Sequence, residues 1–99
     1  MNNCNKIVIT RPVIDMVQTG QKIKSLRKFR KLSVRTLQCV FGMENPQSIY
    51  NWESGKNLPS IDNLLVLAQL FDVSLDTLIV KKQVEIEVSG VAKNELLSA

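Results

Sequence analysis

The chain has 99 residues, which is enough for one domain with a modest core, since 44% of the residues are hydrophobic. Its formal net charge of +4 favours a polyanionic partner, and it contains no histidine, the commonest general base and metal ligand. With no glycine-rich phosphate loop and no paired carboxylates either, we expect neither an enzyme nor a bound cofactor or metal.

Cysteine usage and hydropathy indicate the compartment. Cys4 and Cys39 match no metal-ligand spacing, so we expect two free thiols in a reducing environment. The N-terminus has no secretory signal, and no apolar run approaches the roughly 18 residues of a membrane helix. The sequence therefore predicts a cytoplasmic protein without a membrane partner.

The N-terminal part of the chain changes from a β-prone arm to a helix. Residues 1–14 form the arm, in which Ile7–Thr10 is β-prone and Pro12 interrupts the pattern. Asp15 can cap a first helix that we place at residues 16–30.

The next two helices are short and lie close together. Ser33 is a good cap for a second helix over Val34–Phe41, and Gly42 follows where a helix ends with positive φ. Asn45 as cap and Pro46 as first helical residue open a third helix over residues 46–53.

Two further helices and a strand pattern complete the chain. Ser60 caps an apolar fourth helix over Ile61–Phe71, and Ser74 caps a short fifth helix through Leu75, Leu78 and Ile79. Residues 81–99 form a C-terminal arm, in which residues 82–88 alternate as in a strand. We therefore predict an all-α fold, a compact five-helix domain at residues 15–80, with possible short β arms at both termini.

Helices two and three, joined by a glycine-containing turn, form a helix-turn-helix, whose second helix typically enters the DNA major groove. With Ile49 and Trp52 facing the core, Gln47 and Asn51 share the outward face of helix three. Their amides can donate and accept at one base edge, and adenine is the best bidentate match. The alternative is that Gln47 and Asn51 are ordinary solvated side chains, but their place in a helix-turn-helix disfavours it.

Charge is distributed unevenly along the chain. Seven basic residues and no acid lie between Met16 and Met43. The basic residues are Lys22, Lys24, Arg27, Lys28, Arg30, Lys31 and Arg35. This pattern is typical of a surface that faces phosphate, although a solvated basic helix would look similar.

These features together resemble the Cro/repressor type of helix-turn-helix, the lambda-repressor-like fold also called the XRE family. The resemblance covers residues 19–80 and rests on Ile23–Arg27, Leu32-Ser33, Leu37, Gly42, Ile49–Lys56, Pro59-Ser60 and Val73–Leu78. It implies a dimeric transcriptional regulator of double-stranded DNA, most simply a repressor.

The resemblance also implies roles for individual residues. Base contacts are expected from Gln47, Ser48 and Asn51. Phosphate contacts are assigned to Ser33, Arg35, Tyr50, Lys56 and Asn57. Arg27 and Glu53 match a structural ion pair that joins helix one to helix three. Val34 departs from the family, which often has a phosphate-contacting glutamine there. Phe29 stands at a commonly polar position, where we expect it to pack against the N-terminal arm; an exposed patch for a partner is the less favoured alternative.

Two questions stay open at this point. The chain could instead be an antitoxin that binds both its operator and a toxin protein, with residues 81–99 as the candidate toxin-binding tail. A dimer could form through the side of helices four and five near Leu75 and Ile79, or through a β-ribbon of Lys6–Thr10 and Lys82–Val88.

Overall fold

A computed structural model describes residues 6–90 of the chain. These residues belong to two compact units. The helical unit runs from Ile14 to Val80, and the other unit combines residues from both ends of the chain. Cys4 and the last nine residues of the predicted C-terminal arm lie outside the described range.

Five helices make up the helical unit. They are α1 (Met16–Phe29), α2 (Val34–Val40), α3 (Gln47–Ser54), α4 (Ile61–Phe71) and α5 (Leu75–Leu78). Four of them begin at the expected caps: the side chains of Asp15, Ser33, Ser60 and Ser74 each accept a backbone N–H three residues along the chain. Each cap satisfies one of the otherwise unpaired amides of a first helical turn, so the cap positions determine where these helices begin.

The core of the helical unit draws on all five helices. The buried apolar side chains are Ile23, Leu37, Ile49, Trp52, Leu64, Leu67, Ala68, Phe71 and Leu78. Half-buried aliphatic residues, among them Val34, Leu75 and Ile79, pack around this cluster. Leu75 and Ile79 therefore pack against the core, and the exposed large apolar residues of α4 are Ile61, Leu65 and Val66.

The two ends of the helical unit are bonded to each other. The Asp15 amide donates to the Val80 carbonyl at 2.8 Å. In return, the Val80 amide donates to Oγ1 of Thr19 at 3.0 Å, and Thr19 is fully buried. The start of α1 and the residue that follows α5 are thus joined by hydrogen bonds that satisfy a buried hydroxyl.

The second unit contains a two-stranded antiparallel sheet, the ribbon, made of β1 (Ile7–Ile14) and β2 (Lys81–Val88). The prediction of an all-α fold is therefore wrong in part, while the five helices are confirmed. β1 continues through Pro12, where the sequence predicts an interruption. A proline is tolerated there because a strand in a two-stranded sheet has one edge without a partner, where a missing N–H costs nothing.

Gly20 is the point of closest approach between α1 and α3. A Cβ built on Gly20 would lie 2.3 Å from the Trp52 carbonyl oxygen and 2.8 Å from that of Glu53. These are backbone atoms at the C-terminal end of α3, which cannot move aside as a flexible side chain would. Only glycine allows α3 to lie this close to α1.

We expect Gly20→Ala to destabilise the protein, although alanine is the better helix former by about 1 kcal/mol. Overpacking at backbone atoms should exceed that gain and leave a net loss of about 1–3 kcal/mol. Thermal unfolding followed by circular dichroism would measure it, with Gln21→Ala as the exposed control on the same helix. A Gly20→Ala protein as stable as the control would contradict the close approach.

Candidate nucleic-acid interface

Helices α2 and α3 form the predicted helix-turn-helix. The turn between them has Gly42 at φ +65°, as expected, and the Met43 amide donates to the Gln38 carbonyl at 2.9 Å. Across the turn, the rings of Phe41 and Trp52 pack edge to face with their centroids 5.3 Å apart. The Trp52 side chain is buried, and this aromatic contact helps to set the angle between the two helices.

The helix α3 has one buried and one exposed face. Ile49 and Trp52 point into the core, as the sequence predicts. Gln47, Ser48 and Tyr50 are exposed, and Asn51 is half-buried. The helix starts at Gln47, one residue later than predicted, because Pro46 occupies the cap position and the Asn45 side chain accepts the Gln47 amide at 3.0 Å. The polar side chains at the start of α3 are therefore available to a ligand.

The two predicted base-contacting amides are bonded to each other. Nε2 of Gln47 donates to Oδ1 of Asn51 at 3.0 Å, as residues four apart on a helix can. The bond leaves the Gln47 oxygen as an acceptor and the Asn51 nitrogen as a donor. The pair thus presents both kinds of group on one side of α3, which is what the major-groove edge of adenine requires of a partner.

Arg27 and Glu53 form a bidentate ion pair between α1 and α3. Nε of Arg27 donates to Oε2 of Glu53 at 2.6 Å, and Nη2 donates to Oε1 at 3.2 Å. The Arg27 and Glu53 side chains are only 9% and 7% exposed. Because Nη1 also donates to the Leu32 carbonyl at 3.0 Å, the pair connects α1, α3 and the start of the α2 segment.

The loop after α3 is attached to the helix that precedes it. The amides of Lys56 and Asn57 both donate to the Asn51 carbonyl, at 2.9 and 3.3 Å. The side chains of Lys56 and Asn57 are exposed. The loop that is predicted to contact phosphate is therefore bonded to the backbone of Asn51, which is predicted to contact a base.

The basic stretch divides into structural and exposed residues. Arg27 is engaged in the buried pair. Arg30 donates from Nε to the Phe71 carbonyl at 3.0 Å and lies 3.8 Å from the Asp72 carboxylate, at the C-terminal end of α4. Sequence reasoning missed this role because the partner of Arg30 is distant along the chain. Lys24, Lys28, Lys31 and Arg35 are exposed, and Lys22 is half-buried.

The start of α2 and Phe29 differ from a simple reading of the sequence. The Ser33 hydroxyl accepts the Thr36 amide at 3.0 Å and is hydrogen-bonded to the Thr36 hydroxyl at 2.9 Å, so it already caps α2. Val34, at the position where the family often has a glutamine, packs on the core.

Phe29, the last residue of α1, is 75% exposed rather than packed, with the Arg30 guanidinium 5.7 Å from its ring centroid.

Residues 6–90 contain no candidate metal site and no candidate membrane span. No group of three or more cysteine, aspartate or glutamate side chains there could hold a metal ion. Within the same range, no helix has the length and apolar character needed to cross a bilayer.

Comparison with known proteins agrees with this geometry. A family profile described as a helix-turn-helix domain matches residues 20–84. The chain belongs to this helix-turn-helix family. It is 36% identical over 56 residues to the uncharacterized HTH-type transcriptional regulator YobD of Bacillus subtilis, a match that covers 57% of this chain and 49% of YobD. The chain thus matches about half the length of that relative.

Solved structures show the same fold. The restriction-modification controller protein C.AhdI of Aeromonas hydrophila is 31% identical, with a TM-score of 0.57 over 65% of this chain and 96% of C.AhdI. The DNA-binding domain of BldD from S. venezulae has a TM-score of 0.56 over 66% of this chain and 96% of that domain. At 20% identity, that domain supports the fold alone. The resemblance to the Cro/repressor class is confirmed.

The Arg27–Glu53 pair generates a stability prediction. Glu53→Ala leaves a buried guanidinium without its counter-charge, which we expect to cost about 3–5 kcal/mol and to lower the melting temperature clearly. Glu44→Ala, at an exposed glutamate, should change stability by less than about 0.5 kcal/mol. The double variant Arg27→Met/Glu53→Leu should be more stable than Glu53→Ala, because it removes both charges. Equal melting temperatures for Glu53→Ala and Glu44→Ala would contradict the prediction.

Proposed function

We propose that this protein is a sequence-specific regulator of transcription that binds double-stranded DNA through α3 and acts as a dimeric repressor. One observation carries the proposal: α3 presents Gln47 and Ser48 to solvent with the half-buried Asn51 on the same face, while Ile49 and Trp52 hold its opposite face in the core. A helix of this kind fits the major groove, where base edges display hydrogen-bonding groups.

The proposed base contacts are made by the amide pair together with Ser48. The free oxygen of Gln47 can accept from N6 of adenine, and the free nitrogen of Asn51 can donate to N7. Because these two amides are already bonded to each other, less side-chain entropy is lost when they meet a base. The favoured site should therefore contain an adenine that α3 contacts.

The proposed phosphate contacts lie around α3. Lys56 and Asn57 follow it, Tyr50 is 51% exposed on it, and Arg35 is exposed on α2. The Ser33 hydroxyl accepts the Thr36 amide as the cap of α2, so its phosphate contact would be made in addition to that bond. Such contacts supply affinity and orientation without reading sequence.

The proposal includes a dimer because a single recognition helix reads only a few base pairs. A two-fold dimer places two such helices about 34 Å apart, one turn of DNA, and so reads a palindrome. A protein that occupies a promoter in this way blocks it by occupancy alone, which makes repression the simplest action. Selection of bound sequences from random duplex DNA tests binding, symmetry and half-site spacing together.

The base-reading role predicts a loss of specificity on substitution. Gln47→Ala or Asn51→Ala should cost about 1–3 kcal/mol on the selected site and relax the base preference there. Gln69→Ala, an exposed glutamine on α4, is the matched control and should bind as the parent protein does. Titrations by fluorescence anisotropy on selected and scrambled duplexes measure both. An equal loss on the two duplexes for Gln47→Ala would rule out base reading.

The phosphate-contacting role predicts a different signature. Lys56→Ala should weaken binding to selected and scrambled duplexes alike, and should reduce the dependence of log K on log salt by about one unit. The measurement is the same titration repeated over a range of salt concentrations. A salt dependence identical to that of the parent protein would place Lys56 away from phosphate.

A further inference from the structure

One acidic side chain lies within the basic part of the chain. Between Met16 and Trp52 the sequence has seven cations and a single acid, Glu44, in the turn before α3. The phosphate backbone of DNA repels an anion and so lowers the affinity for every duplex, unless the anion makes a favourable contact. A carboxylate beside a helix that is proposed to enter a DNA groove is therefore either a cost to binding or a source of specificity.

The Glu44 carboxylate has no partner among residues 6–90. Its side chain is exposed and forms neither an ion pair nor a hydrogen bond with any of them. It differs in this respect from Glu53, Asp72 and Glu87, whose carboxylates lie beside cations. All the acceptor positions of Glu44 are therefore available to a ligand.

The backbone is held in place on both sides of Glu44. The Met43 amide donates to the Gln38 carbonyl at 2.9 Å, and the Asn45 side chain accepts the Gln47 amide at 3.0 Å. One neighbour of Glu44 is thus bonded to α2 and the other to α3. Because the side chain is displayed from a fixed position, a contact with a ligand costs less conformational entropy than one from a free loop.

Glu44 also lies close to the proposed base-contacting residues. Three residues of chain separate it from Gln47, so their Cα atoms are at most about 10 Å apart. Successive bases on one strand of DNA are about 3.4 Å apart, and this distance therefore corresponds to about three base pairs. In a helix-turn-helix, the N-terminal residues of the second helix are the ones nearest to base edges. A base next to those contacted by α3 is therefore within reach of Glu44.

The chemistry of a carboxylate favours one base in the major groove. An ionised carboxylate can only accept hydrogen bonds. The N4 amine of cytosine is a donor, whereas O6 and N7 of guanine and O4 of thymine are acceptors and repel it. Adenine has an amine at N6, but the acceptor N7 lies beside it. The base that fits Glu44 is therefore cytosine.

We propose that Glu44 is a specificity-determining residue of the DNA-binding surface: its carboxylate accepts from N4 of a cytosine close to the adenine that Gln47 and Asn51 contact. On a duplex without this cytosine the same charge meets only phosphates and base acceptors, so Glu44 selects against other sequences. The inference rests on the proposed DNA-binding role of α3 and adds a second base to the sequence that it reads.

Selection of bound sequences from random duplex DNA, carried out with the parent protein and with Glu44→Gln, tests the choice of base. The parent site should contain a cytosine within about three base pairs of the adenine. Glu44→Gln should keep the adenine and lose the preference for cytosine, because an amide can donate as well as accept. Glu85→Gln makes the same chemical change at an exposed glutamate of β2 and should select the parent sequence.

Titrations by fluorescence anisotropy measure the coupling between Glu44 and that base pair. Replacing the C·G pair by T·A should weaken binding of the parent protein at least about fivefold, the lower end of what one specific base contact contributes. Glu44→Gln should bind the two duplexes about equally. It should also bind a scrambled duplex more tightly than the parent protein does, because a charge that phosphates repel has been removed.

The outcomes separate this inference from the function itself. A Glu44→Gln protein that selects the parent sequence, still discriminates against T·A, or gains affinity equally on selected and scrambled duplexes would overturn the inference and leave the proposed function standing. A parent site that contains adenine but no nearby cytosine would do the same. A parent protein that selects no sequence at all would refute both the inference and the proposed function.

Discussion

The buried pair of Arg27 and Glu53 determines where α3 lies against α1. Both side chains are almost fully removed from water, so each charge depends on the other for compensation. Such a pair often adds little stability over an apolar replacement, but its two parallel hydrogen bonds accept only one geometry. The value of this interaction therefore lies in orientation: α3 cannot slide along α1 without leaving a charge unpaired in the interior.

Other contacts restrict α3 from its remaining sides. Gly20 lets the helix lie directly against α1, and the Phe41–Trp52 contact links it to α2. Behind it, the loop containing Lys56 is bonded to the Asn51 carbonyl. The side chains on the open face are consequently displayed from a helix that is already in place, which lowers the entropy lost on binding a ligand.

Local signals predicted most of the fold, and long-range contacts account for what they missed. The serine and aspartate caps mark four helix starts because each acts within its own first turn. The role of Gly20 depends on a carbonyl more than thirty residues away along the chain, and that of Arg30 on a partner 41 residues away. Neither partner is visible in a local pattern, so the sequence gives Gly20 no packing role and leaves Arg30 among the cations of the basic stretch.

The hydrogen bonds between Asp15, Thr19 and Val80 have a consequence for how the helical unit opens. Thr19 and Val80 are separated by 61 positions in the chain, yet they share a buried hydroxyl contact at the boundary of the unit. Terminal segments of most domains fray independently at little cost. Here, unwinding the first turn of α1 also releases the last residue of the unit, and the reverse is equally true. The two boundaries therefore open as one cooperative element, and local unfolding from either end is suppressed.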